Sequence, residues 1–239
     1  MFCNHIHSPS REVRLAELAP DISFADIKVI KNSEIKAEKL LAKSVYGCVY
    51  SGTLLSSNKA IAIKQLTSAS SSRGKEDLFR SFQQEVYIMS KLKHPNLVAL
   101  IGVSLYPDIQ IILELLHHGD LFSFLHPNES ANKPTTKSEL LSIEAAKFPW
   151  SLRLRIALDI ARGMEYLQSR SPAVIHRDLR SPNIFLASLS EVAEVRAKVA
   201  DFGMSRFVAP VVEGTLNTWE WMAPETLSDD AYTVTADIY

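Results

Sequence analysis

Six side chains of this chain, Asp178, Asp201, Lys64, Glu85, Asn183 and Arg180, carry the chemistry that it can do. Asp178 lies in the run His176-Arg177-Asp178-Leu179-Arg180-Ser181-Pro182-Asn183, and Asp201 opens Asp201-Phe202-Gly203 behind the apolar stretch 197–200. Lys64 ends the apolar run Ala60-Ile61-Ala62-Ile63-Lys64, and Glu85 follows it in chain order on a segment of helical period. This set suits phosphoryl transfer. The transition state of that reaction spreads negative charge over phosphoryl oxygens, so catalysis is mostly positioning and electrostatics. It needs a cation held by hard oxygen ligands, an ammonium on the phosphates and an acceptor for a hydroxyl proton. Asp178 is the candidate acceptor, Asn183 and Asp201 the candidate Mg²⁺ ligands, and Lys64 held by Glu85 the candidate phosphate-facing cation. Arg180 is always charged and is a further candidate to meet phosphate.

Elements of two kinds must position these groups. Residues 39–41, 48–54, 59–65, 97–104 and 110–115 read as five short strands, with Asn58 and its preceding serines marking a turn. A helix is predicted over 75–91, where Leu78, Phe82, Val86 and Met89 recur on one face. Beyond Gly119 the pattern turns helical. A second helix is predicted from Leu152 to about Ser169, with Ser151 as N-cap and Leu152, Ile156, Ile160, Met164 and Leu167 along its buried side. Residues 127–148 are polar, hold two prolines with a third following at Pro149, and read as an inserted surface loop with a short helix at 138–147; such a length is unusual inside a compact domain. Residues 1–34 show no sustained period and read as an extended lead-in.

The motifs, in this order and over residues 35–239, resemble the catalytic domain of a eukaryotic protein kinase. His176 to Asn183 matches the catalytic-loop pattern H-R-D-L-x-x-x-N, Ala60 to Lys64 resembles V-A-I-K, and Asp201-Phe202-Gly203 with Ala223-Pro224-Glu225 brackets a segment of activation-loop length. The runs EVYIMSKLKHPN at 85–96, HRDLRSPNIF at 176–185, KVADFG at 198–203 and WMAPE at 221–225 are similar to Roco-type kinases of the tyrosine-kinase-like group. This resemblance implies an α+β, two-lobed fold: a five-stranded antiparallel N-lobe with one helix over 35–116, a hinge at 114–118, and a mainly helical, incomplete C-lobe over 117–239. It implies serine/threonine kinase activity with ATP and Mg²⁺. Leu113 would be the gatekeeper, the backbone of Glu114 and Leu116 would bond the adenine, and Leu41, Val49, Ala62 and Phe185 would sandwich it.

The sequence departs from the family in places. Where a glycine-rich loop G-x-G-x-x-G is expected, Ala42 and Ser44 replace the first two glycines and only Gly47 remains. Glycine admits close approach of backbone N–H groups to phosphate, so ATP binding is expected to weaken. Asn217 stands before Thr218 where the family has glycine, and Arg180 stands where many serine/threonine kinases carry lysine. Thr215 is the expected phosphorylation site, where a phosphate could pair with Arg177. The chain stops at Tyr239, shortly after Asp237, which in the family opens a central helix and anchors the catalytic loop. The resemblance therefore reads the chain as C-terminally truncated. The side of the helix carrying Leu152 to Leu167 is expected to lack its cover, leaving the chain poorly folded alone.

The remaining features narrow the choice. The chain has 239 residues, of which 46% are hydrophobic, with 26 basic and 27 acidic side chains. That balance argues against a polyanion-binding surface. Two cysteines make no disulfide framework, and with no signal-peptide pattern and no apolar run of membrane-spanning length a cytoplasmic location is expected. A P-loop motif is absent. The expected partner is a protein substrate, with no nucleic acid and other domains in a longer parent chain. A pseudokinase or kinase-like scaffold is the alternative. The eroded glycine loop and the truncated C-lobe favour it, whereas intact Lys64, Glu85, Asp178, Asn183 and Asp201 favour catalysis.

Overall fold

The computed structural model describes residues 27–43, 47–66, 72–126, 148–207, 223–227 and 234–238. Ser44, most of the lead-in, the insertion at 127–147 with its predicted short helix, and the segment 208–222 with Thr215, Asn217 and Thr218 lie outside the described residues. The chain divides into two compact units: Met1–Lys93 with Ala99–Leu115, and His94–Val98 with Leu116–Tyr239.

Unit one is a five-stranded antiparallel sheet with one helix. Its strands are β1 (Ile35–Lys43), β2 (Gly47–Leu54), β3 (Lys59–Leu66), β4 (Leu100–Ser104) and β5 (Gln110–Glu114), in the order β1-β2-β3-β5-β4, and its helix is α1 (Ser72–Lys91). β1 is far longer than residues 39–41. Register shifts between Ala37 and Lys39 and between Leu40 and Ala42 break its two-residue alternation, which is the signal a sequence reading needs. As an exposed edge it carries Lys36, Glu38, Lys39 and Lys43, charges that discourage edge-to-edge pairing.

The sheet buries both faces unequally. On one, Ile61, Ile63, Leu54 and Ile112 form a cluster with Ile30. On the other, Ile111 and Leu66 pack with Phe82 and Val86 of α1 and with Ile27. Burying such side chains stabilises by about 1.5–3 kcal/mol each. Ile27 and Ile30 belong to the stretch read as a lead-in, so its last residues contribute to both clusters.

β4 begins at Leu100 rather than at residue 97. The preceding residues bond elsewhere: Val98 N–H donates to the Val199 carbonyl at 2.9 Å and Val199 N–H to the Asn96 carbonyl at 2.8 Å. Strand-forming residues at 97–98 are thus spent in unit two.

Unit two holds α2 (Leu121–Leu125), α3 (Trp150–Gln168), β6 (Val174–Ile175), β7 (Ile184–Leu186), β8 (Ala197–Val199), β9 (Arg206–Phe207) and α4 (Pro224–Leu227), with β6 paired to β9 and β7 to β8. Asp120 caps α2 through a Ser123 N–H bond of 2.8 Å to its Oδ1. The N-cap position of α3 is Pro149, without a side-chain bond, so Ser151 is not the cap but lies in the first turn. Leu152, Ile156, Met164 and Leu167 are buried and α3 packs on β6 and β8, while Ile160 is half-buried. The expectation that this side lacks cover is therefore overturned: unit two supplies it. The uncovered stripe is another one, Trp150, Leu154 and Leu158. A buried carboxylate also fastens α3. Asp159 Oδ2 accepts the N–H groups of Arg196 at 2.7 Å and Ala197 at 3.2 Å, with the Arg196 guanidinium 3.9 Å away. Among the described residues no helix is long and apolar enough to cross a membrane.

Candidate active site

Both units carry candidate site residues. In unit one, Lys64 lies opposite Val49 on β2 and Ile111 on β5, and Ala62 opposite Ser51 and Leu113. Directly opposed residues share a face, so Val49, Ala62, Lys64 and Leu113 line the face that α1 packs on. Glu85 comes from α1, one residue before buried Val86. Lys64 Nζ meets Glu85 Oε1 at 2.7 Å and Oε2 at 2.9 Å. The lysine side chain is 27% exposed and the glutamate 7%. The carboxylate is therefore desolvated and orients an ammonium that still reaches solvent. Removing either partner from so buried a pair costs about 3–5 kcal/mol.

The remaining nucleotide-site candidates of unit one are less uniform. Leu41 is exposed, and Ala42 pairs with Val49 at the end of the β1–β2 hairpin. Glu114 N–H donates to the Ala99 carbonyl at 3.1 Å, and its Oε1 accepts the Ala99 N–H at 2.8 Å. Its amide and carboxylate thus fasten the start of β4. Gly47 has a structural reason to be glycine: a Cβ there would collide with the Gln65 carbonyl of β3. The retained glycine is accounted for by strand approach, whatever it does toward phosphate.

Unit two assembles the catalytic-loop residues around His176. This imidazole is fully buried and stands edge-on to Phe202 with centroids 5.3 Å apart. Nε2 lies 3.0 Å from the Ala200 carbonyl, which can only accept, so Nε2 carries the hydrogen. Nδ1 then accepts the Asp178 N–H at 3.3 Å. Asp237 clamps the loop from the chain's far end, Oδ2 accepting His176 N–H at 2.6 Å and Oδ1 accepting Arg177 N–H at 2.8 Å. Burial raises the Asp237 carboxyl above its ordinary value, opposed by those two amides. Arg177 and Asp201 both have positive φ, 70° and 64°. Non-glycine residues seldom adopt that conformation, and it gathers at functional sites.

The chemistry-bearing groups of this unit stand together. Asn183 Nδ2 donates to the Asp178 carbonyl at 2.8 Å and to its Oδ2 at 2.7 Å. Arg180 Nε lies 3.0 Å from Asp178 Oδ1. Neither of those two atoms has an aligned hydrogen bond, so the contact is an ion pair by distance. With the Asn183 amide nitrogen engaged, its Oδ1 is the atom suited to a cation. Ala200 N–H donates to the Asn183 carbonyl at 2.9 Å, which brings Asp201 one residue from that strand contact. Asp201 is exposed and accepts Gly203 N–H at 3.3 Å, while Phe202 is buried. Carboxylate and amide oxygens are ligands that suit Mg²⁺. Phe185 pairs with Lys198 and bridges Asp120, and Leu116 is half-buried.

Two participants escape a sequence reading. Ser205 is fully buried and donates from Oγ to the His176 carbonyl at 3.1 Å. Asp159 ties α3 to β8. Neither sits in a motif; the signal for Asp159 is its place on the apolar face of α3, between Ile156 and Gly163.

Comparisons with known proteins place the chain among protein kinases. The family described as protein tyrosine and serine/threonine kinase matches residues 35–239. The chain is 34% identical over 264 residues to the probable serine/threonine-protein kinase qkgA of Dictyostelium discoideum, covering 100% of this chain and 16% of that protein. It is 39% identical over 233 residues to the probable serine/threonine-protein kinase roco11 of the same organism, covering 95% and 14%. A third relative there, the probable serine/threonine-protein kinase pats1, is 35% identical over 224 residues, covering 90% and 6%. The chain thus spans about a sixth or less of the length of these relatives.

Proposed function

The chain belongs to the protein tyrosine and serine/threonine kinase family, and on that premise we propose that it transfers the γ-phosphoryl group of ATP to serine or threonine hydroxyls of proteins. Its relatives qkgA and roco11 are named as probable serine/threonine-protein kinases, which supports this acceptor class. The observation that carries the reading is the seating of Asp178. Asn183 holds one carboxylate oxygen at 2.7 Å, Arg180 lies 3.0 Å from the other, and the loop beneath is pinned through His176 and Asp237.

Each side chain has a distinct task. Asp178 accepts the proton of the attacking hydroxyl. Lys64, fixed by Glu85, binds phosphate oxygens, and Arg180 offers a second positive charge near the acid. Asn183 Oδ1 and the Asp201 carboxylate would hold Mg²⁺. Val49, Ala62, Leu113, Leu41 and Phe185 are apolar surfaces for the adenine, with Glu114 and Leu116 supplying backbone groups. When bound, the magnesium nucleotide supplies the phosphoryl group and the charge that offsets its developing negative oxygens. The substrate protein and the activities of a longer parent protein belong to the same proposal.

Asp178→Asn tests it. Removing a positioned proton acceptor lowers the rate by roughly 100- to 10,000-fold. Incubation of the full chain with labelled ATP and a generic protein acceptor should show transfer by the wild type and near-complete loss in the variant, with nucleotide binding retained. Equal transfer by both proteins rejects the assignment of Asp178. ATP binding without transfer by the wild type favours a kinase-like binding protein.

A further inference from the structure

The residues ahead of β1 grip the sheet at its β4 edge. Ile30 N–H donates to the Val103 carbonyl at 2.8 Å, Val103 N–H donates to the Lys28 carbonyl at 2.9 Å, and Val29 bridges Val103 in parallel sense. Side chains along such a run point alternately to the two faces. Ile27 joins the buried cluster of Phe82 and Val86 from α1 with Leu66, Val103 and Ile111. Ile30 joins the cluster on the other face, among Leu54, Ile61, Ile63 and Ile112. Between them Val29 is 54% exposed.

β4 admits this segment because Gly102 has no side chain. A Cβ there would collide with the Lys28 carbonyl and lie 2.8 Å from Ile30 Cδ1. Glycine weakens a strand interior and often marks the close approach of another backbone. Here that backbone is residues 28–30.

The segment reaches the catalytic lysine through α1. Val86 follows Glu85 and Phe82 lies one turn before it, and Glu85 holds Lys64 at 2.7 Å. The seat of α1 on the sheet sets where Glu85 stands, and Ile27 is part of that seat. We propose that Ile27 is a positioning residue for the Lys64–Glu85 pair, and that residues 27–30 form a clamp that holds it in the seat of α1. The proposal rests on the kinase reading of that pair.

Three variants of the full chain separate a positioning role from general stabilisation. The readouts are backbone hydrogen exchange across α1, melting temperature, and kcat and KM for ATP. Ile27→Ala and Gly102→Ala should speed exchange across α1 and lower kcat by roughly 2- to 30-fold. Ile27→Val should restore most of both. Ile30→Ala removes the same atoms from the opposite face; it should lower the melting temperature while leaving α1 exchange and kcat near wild type. The proposal is overturned if Ile27→Ala leaves exchange across α1 unchanged, or if Ile30→Ala matches it in both exchange and kcat. A wild type that transfers no phosphate defeats the kinase reading instead, and α1 exchange alone then decides the clamp.

Discussion

At the scale of single residues, the site is held by bonds that leave little freedom. Ser205 shows how far this goes. Two residues past Gly203, its hydroxyl is fully buried and bonded to the His176 carbonyl. Ser205→Ala should cost about 1 kcal/mol, the net value of one hydrogen bond. Ser205→Asp puts an unpaired charge against a carbonyl and should cost roughly 3–5 kcal/mol. Thermal melts of the two variants check this, and mass spectrometry of the phosphorylated folded protein should find Ser205 unmodified. Ala42 poses the opposite case, a side chain where backbone access is wanted. It lies across from Val49 at the mouth of the β1–β2 hairpin. Ala42→Gly should tighten ATP binding by a few-fold, on the order of 1 kcal/mol or less, and titration calorimetry measures it; unchanged affinity removes the role given to this hairpin.

At the scale of elements, the short stretch His94–Val98 carries more than its length suggests. His94 Nδ1 accepts the Asn96 N–H at 3.1 Å, and its ring stacks on Tyr166 with centroids 4.9 Å apart. Both need a neutral imidazole or tolerate one. Burial first, then the Arg162 charge, hold its pKa below the ordinary 6.5, against a raising influence of Glu165. The sign follows from proton uptake. Below 6.5 the unfolded chain binds a proton that the folded chain refuses. The contribution of His94 is therefore present above 6.5 and is lost as pH falls through the lowered folded value. Asp237 acts in the opposite sense. Its folded pKa is raised from 3.8, so its contribution is present below 3.8 and is lost as pH rises through the raised value. Melting temperatures of wild type and His94→Gln, compared between about pH 7.5 and pH 5.5, isolate the histidine: the wild type should lose more on acidification. Parallel curves would reject the role.

At the scale of the whole molecule, the balance of covered and uncovered apolar surface decides behaviour. The inner side of α3 is closed by unit two, but Trp150, Leu154 and Leu158 stand 68%, 53% and 49% exposed, four residues apart along one stripe. A contiguous exposed apolar patch favours association. Leu154→Lys with Leu158→Lys should reduce self-association in sedimentation or size-exclusion measurements. Lysine and leucine have similar helix propensity, and substitutions at uncovered sites are small in effect, so stability should change by about 1 kcal/mol or less. A large loss of stability would show that the stripe is covered in solution.

The sequence alone determined the identities and order of the chemical groups, because Lys64, Glu85, Asp178, Asn183 and Asp201 stand in motifs whose spacing is local. It also determined five strands and two main helices, because two-residue and helical periods are written into neighbouring residues. Tertiary structure decided what local period cannot encode. It brought Lys64 to Glu85 across the strand–helix connection and set Asp237 beneath His176 from the other end of unit two. It lengthened β1 past two bulges, gave residues 97–98 to β8 instead of β5, and drew Ile27 and Ile30 from an aperiodic lead-in onto the two faces of the sheet. These outcomes depend on which distant surface offers a donor, an acceptor or an apolar face, and packing chooses among them only once the chain has folded.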